Sequence, residues 1–196
     1  MTHVKQLSQS VARPSTQGEN YIMRYPATYA QDRAEIEDLM SRYLMAMDYN
    51  DFDTYADTFT EDGTLNYATG TVTGRENIRA EAKAFKERVG KMFTDVEGKP
   101  ALLRHVLCHS TIRVEGDKAW HTGFWFEFDN GGPISAAGRK TILMGTYGIY
   151  EDELHRVDGE WKFFYRNIRN EFLPGRDSGT INPVLAMDAK AQASLG

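Results

Sequence analysis

Two turn signals divide the second half of the chain and fix most of what it can fold into. Gly116-Asp117 and Asp158-Gly159 each separate long runs rich in β-branched and aromatic residues, the pattern of a hairpin. They predict strands over Leu102–Glu115 and Lys118–Phe128, then over Lys140–Arg156 and Glu160–Leu173, with the Gly-rich loop Asp129–Gly138 between the two hairpins. The first half has a different period. Ile36, Leu39, Met40, Tyr43, Leu44 and Met47 recur at i, i+3, i+4, i+7, i+8 and i+11, an apolar stripe on a helix from about Gln31 to Asn50. Asp51 can cap a second, short helix with Phe52, Tyr55, Ala56 and Phe59 on one face. Glu61-Asp62-Gly63 reads as a turn and residues 64–73 as a short hairpin. A third helix runs from Gly74 to about Val89 with Ile78, Ala82 and Phe85 inward, and residues 90–100 form a loop. Helices first and an antiparallel meander afterwards predict an α+β domain, its helices packed on one face of a curved sheet.

At 196 residues the chain suits a single domain, here bounded as an N-terminal arm (1–29), a folded body (30–173) and a polar tail (174–196). Order in the arm would require Tyr21, Met23, Tyr25 and Tyr29 to lie across a neighbouring subunit or a pocket mouth. A net charge of −5 and a pI of about 5.6 argue against nucleic acid, which needs a basic stripe. No apolar segment opens the sequence and none reaches the roughly 18 residues of a membrane span. The lone Cys108 excludes an intrachain disulfide. The expectation is a soluble, cytoplasmic protein.

Chemistry concentrates at two places. Asp48 lies about 40° beyond Leu44 on the helical wheel, at the edge of the apolar stripe, where it turns either into a pocket or out to water. A carboxylate near a helix C-terminus faces the negative end of the dipole, so its placement suggests a role beyond the helix. His105 sits on a strand, and His is the side chain suited to moving protons near neutral pH. His105 and His109 are roughly 13 Å apart on an extended strand, too far to share an ion, and Cys108 points to the other face. No HExxH, paired CxxC or EF-hand loop occurs, so no metal is predicted. Asn130-Gly131-Gly132-Pro133 lacks the strand–turn–helix context of a phosphate loop. Trp120, Phe124, Phe126 and Phe128 share one sheet face and Trp125 the other. Together these rings suit a pocket for a flat aromatic ligand, and Trp125 and Phe124 are assigned as its contacts. Asp152, Arg156 and Glu160 read as hairpin surface charges.

The segments YLMAMDYNDFDTYADTFTEDGTL, RHVLCHSTIRVEGDKAW and GIYEDELHRVDGEWKFFYR together resemble the SnoaL-like branch of the nuclear transport factor 2 (NTF2) superfamily, over about Asp32–Phe172. The resemblance implies a cone of helices closed by a curved antiparallel sheet. In enzymes of this branch, among them scytalone dehydratase, hexachlorocyclohexane dehydrochlorinase and bile-acid 7α-dehydratase, an Asp ending the first helix pairs with a strand His. Asp48 and His105 hold the matching positions, and Tyr43 matches a pocket Tyr. Arg166, or alternatively Arg169, matches a late-strand Arg. The second His of scytalone dehydratase has no counterpart. RYPATYAQDRAEIEDL and RHVLCHS further resemble the cofactorless sphingomonad lyases that remove formaldehyde from lignin-derived diarylpropanes.

That resemblance implies a lyase without cofactor or metal acting on a small aromatic substrate, with Asp48, His105 and Tyr43 catalytic. Tyr150 would hold substrate oxygens, and Arg104 or Arg166 phenolate charge. Strict strand alternation sends Arg104 away from His105 unless a bulge intervenes. A dehydratase and a non-catalytic binding module are the alternatives. The superfamily's exposed sheet faces imply a homodimer or homotrimer.

Overall fold

The computed structural model describes residues 25–194; Tyr21 and Met23 of the proposed arm fall outside them. Helix α1 spans Tyr29–Tyr49, α2 Phe52–Asp57 and α3 Arg75–Met92, and six strands follow or interrupt them: β1 Phe59–Tyr67, β2 Gly70–Thr73, β3 Leu103–Glu115, β4 Lys118–Asp129, β5 Leu143–Val157 and β6 Glu160–Asn170. A last helix, α4, spans Pro183–Ala193. The expected α+β class holds.

Local chemistry sets the helix ends. Asn50 closes α1 in the left-handed conformation (φ 61°), which Asn tolerates better than most residues. The Asp51 carboxylate accepts from the Thr54 amide at 3.1 Å and starts α2. The stripe on α1 buries Ile36, Leu39, Met40, Tyr43, Leu44 and Met47 in the main core with Phe59, Ile78, Leu154 and Phe163. Each such side chain stabilises the fold by roughly 1.5–3 kcal/mol.

The strands form one sheet in the order β2-β1-β6-β5-β4-β3. The two hairpins pair as predicted, but the sheet is not wholly antiparallel, because β1 runs parallel to β6. The expected turn at Glu61-Asp62-Gly63 is instead an irregularity inside β1, where the pairing with β6 shifts between Phe59 and Thr64. A Cβ at Gly63 would sit 2.9 Å from the Phe163 carbonyl oxygen, so the glycine permits the close strand approach that looked like a turn in sequence.

The polar tail carries a helix that the sequence pattern does not announce. Asn182 caps α4 by accepting from the Val184 amide, and Met187 and Ala191 pack on Trp120. Asp188 pairs with Arg113 at 3.2 Å. This helix covers the sheet face opposite α1. Its Ala-rich, short sequence carries too weak an apolar stripe to reveal it alone.

Tyr25 and Tyr29 stack at 4.2 Å, and the Tyr29 hydroxyl donates to the Ile112 carbonyl at 3.1 Å. The end of the arm is thus tied to β3 of its own chain. No helix of the described residues is long and apolar enough to cross a membrane.

Candidate active site

The end of α1 meets β3 at one carboxylate. Asp48 Oδ1 lies 2.6 Å from His105 Nδ1, and Asp48 Oδ2 accepts from the His105 backbone N–H at 2.8 Å. A carboxylate only accepts, so Nδ1 carries the ring proton and Nε2 keeps a free lone pair. Asp48 is 9 % exposed; two N–H donors replace the water it loses. Arg104 grips the same helix end from outside, donating to the Asp48 carbonyl at 3.3 Å and lying over the Tyr49 ring at 4.4 Å. A cation there complements the negative end of α1.

His105 opens onto a cavity of about 470 Å³ between α1, α3 and the inner sheet face. Its walls are mainly apolar, including Leu44, Met47, Phe85, Val89, Leu103 and Ile168. Trp125 and Tyr150 stack at 5.7 Å with an interplanar angle of 18° and supply a flat aromatic wall. Tyr43 and Tyr55 share a hydroxyl–hydroxyl bond of 2.9 Å on the α1 side. Burial pushes the Tyr43 phenol above its ordinary value, with Arg166 pulling the other way, so Tyr43 stays a neutral phenol.

Of the further charged groups that line the cavity, Glu81 and Arg88 pair with each other at 2.6 Å; Glu127 and Lys86 form no such pair among the described residues, and sequence reasoning missed both. Glu127 is the cross-strand partner of His105 and is only 3 % exposed. Burial pushes its carboxyl above the ordinary range, opposed by His105 and by the hydrogen bond from Thr146. Lys86 reaches in from α3, its ammonium held below the ordinary value by burial; among the described residues it has no ion-pair partner. Alternation along β4 from Trp125 was the available signal for Glu127.

Beneath the cavity runs a buried polar row. Ser110 Oγ lies 2.9 Å from His121 Nε2, and His121 Nδ1 lies 2.7 Å from Asp152 Oδ2. Arg166 donates to both Asp152 oxygens, at 2.9 and 3.0 Å. Its guanidinium lies 4.0 Å from the ring centres of Tyr43, Tyr150 and Phe163.

The SnoaL-like domain family matches residues 28–167. The chain belongs to the SnoaL-like family. Among its relatives is the uncharacterised protein Rv2910c of Mycobacterium tuberculosis, 26% identical over 136 residues, covering 69% of this chain and 82% of that one. A substituted form of Rv3472, another Mycobacterium tuberculosis protein of unknown function, is similar in structure with a TM-score of 0.58 and 26% identity, covering 84% of this chain and 96% of that one. A Novosphingobium aromaticivorans protein named as a candidate scytalone dehydratase matches at a TM-score of 0.59 and 20% identity, covering 79% of this chain and 98% of that one. At that identity it speaks for the fold. An NTF2-like protein of cystatin-like fold from the same organism matches at 0.56 and 21%, covering 82% and 89%.

Within this SnoaL-like fold the predicted residues divide. Asp48 and His105 meet, and Tyr43, Tyr150 and Trp125 line their cavity. Phe124 does not: it faces the outer sheet surface, 38 % exposed, against His109, as alternation from Trp125 requires. Arg104 also stays outside the cavity, bound to α1 and to the Leu103 carbonyl. Arg166 is fully buried and spent on Asp152, behind the tyrosines rather than among the lining residues. Arg169 instead pairs with Glu151. Asp152 is no surface charge, and Arg156 bridges Asp32 and Glu35 of α1 while covering Trp161.

Proposed function

We propose that this protein is a cofactor-independent lyase that deformylates a phenolic 1,2-diarylpropane-1,3-diol to a stilbene, releasing formaldehyde and water. The observation that carries the reading is the Asp48–His105 pair facing a largely apolar cavity with a stacked Trp125–Tyr150 wall. The cavity volume falls within the range of small-molecule sites.

The chemistry follows from the substrate. Electrons from the ionised para-hydroxyl enter the ring, the benzylic C–O bond breaks, and a quinone methide remains. His105 Nε2 then removes the proton of the terminal hydroxymethyl group. The C–C bond to that carbon breaks, formaldehyde leaves, and its electron pair restores the aromatic ring. The quinone methide is the electron sink. Asp48 fixes the imidazole tautomer and stabilises the imidazolium, a general-base arrangement worth about 10²–10⁴-fold. With Arg104 and Arg166 outside the cavity and the lining Arg88 paired with Glu81, Lys86 is the lining cation left for an ionised phenol.

The test is incubation with 1,2-diguaiacylpropane-1,3-diol. Stilbene absorbance and formaldehyde should rise one for one. Loss of water with all carbons retained would instead indicate a dehydratase, which the same pair equally supports. Binding without turnover would indicate a non-catalytic module. We also propose that the chain assembles as a homodimer or homotrimer through the outer sheet face, where Val106, Phe124 and Tyr147 are exposed.

A further inference from the structure

The reaction needs a proton at the benzylic hydroxyl, and His105, held as a base, has none to spare. Glu127 has a geometry that fits the need. It stands opposite His105 in the β3–β4 register, so both side chains leave the sheet on the same face. Oε2 accepts from Thr146 Oγ1 at 3.2 Å, while Oε1 is buried with no hydrogen-bond partner among the described residues. A buried carboxylate oxygen left without a donor is costly, whereas a protonated carboxyl offers an O–H to whatever occupies the cavity. The backbone makes room for it: β5 shifts register opposite Glu127 and Phe128, and a Cβ on Gly145, within that irregularity, would overlap Oε2.

We infer that Glu127 is the acid of this site, donating its carboxyl proton to the hydroxyl that leaves the benzylic carbon. This rests on the lyase reading and supplies its missing proton donor. The C–O bond breaks as the Glu127 O–H bond breaks; the departing oxygen takes the proton and leaves as water, and Glu127 becomes a carboxylate. His105 then takes the terminal hydroxyl proton and becomes an imidazolium. That proton passes back to Glu127 across the pair of strands. The proton lost when the substrate phenol ionises is regained by the product phenol, so substrate equals stilbene plus formaldehyde plus water. Burial favours the protonated carboxyl and Asp129 adds to this, while His105 and Lys86 oppose it.

The deciding experiment compares two substrates in Glu127→Gln: the diol, and its benzylic acetate ester, whose leaving group needs no proton. The expected result is a loss in kcat of about 10²-fold or more on the diol and a much smaller loss on the ester. His105→Ala should be slow on both. Gly145→Ala, which displaces the carboxyl without removing it, should show the same split as Glu127→Gln and decides the matter if the latter fails to fold. Infrared difference spectra of wild type against Glu127→Gln, followed upward from pH 4, should carry a protonated-carboxyl band that persists above the range of an ordinary glutamic acid. Equal losses on both substrates, an unimpaired rate on the diol, or absence of that band would overturn the role of Glu127 while leaving the lyase reading intact. A wild-type protein inert toward every such diol would overturn both.

Discussion

One carboxylate holds both the ring and the backbone of residue 105. Because Asp48 binds Nδ1 and the amide of His105 together, it fixes ring orientation as well as tautomer. Asp48→Asn keeps the shape but replaces one acceptor oxygen with a donor. Its kcat for deformylation should fall about 10²–10⁴-fold, with KM changed far less, as read from initial rates of stilbene formation. Glu127 leads to a separate, thermodynamic expectation. Its folded carboxyl holds the proton more tightly than the ordinary Glu value of 4.5. It therefore favours folding below that value, and the contribution is lost as pH rises through the folded pKa. Glu127→Gln lacks this loss, so its melting temperature relative to wild type should increase between pH 4 and pH 8. A difference constant with pH would refute the shift. Lys86→Met should raise KM for the phenolic diol about tenfold or more, since a charge-assisted contact is removed.

At the scale of elements, the polar row from β3 through β4 and β5 to β6 binds the sheet under α1. Arg166→Ala would leave Asp152 charged and buried, at a cost of about 3–5 kcal/mol, measurable by urea denaturation. Alternation in β5 puts Asp152 in phase with Tyr150 and Leu154, both buried, so its inward direction was readable from sequence. Its cross-strand partners were not, because register over three strands depends on irregularities between Cys108 and Thr111 and between Glu153 and Leu154. Helical period and hairpin dipeptides, by contrast, are local signals, and α1, α2, α3 and the two long hairpins follow from them directly. The β1–β6 parallel pairing joins residues about a hundred positions apart and leaves no local mark.

For the molecule as a whole, the sheet separates two functions. Its inner face, with α1 and α3, encloses the cavity; its outer face carries α4 on Trp120. Met187→Ala should cost about 2 kcal/mol, the low end for a buried Met, and leave the deformylation rate unchanged. The position of Asp48 beside His105 was legible only through resemblance, since a helix edge and a distant strand share no spacing rule. Glu127 and Lys86 escaped because that resemblance offered no counterpart for either. The most direct trial of the account is single-turnover formaldehyde release by His105→Gln, with binding followed by quenching of Trp fluorescence by the diol. The account predicts release slowed about 10²-fold or more while quenching persists at similar concentrations. Release at the wild-type rate would contradict it.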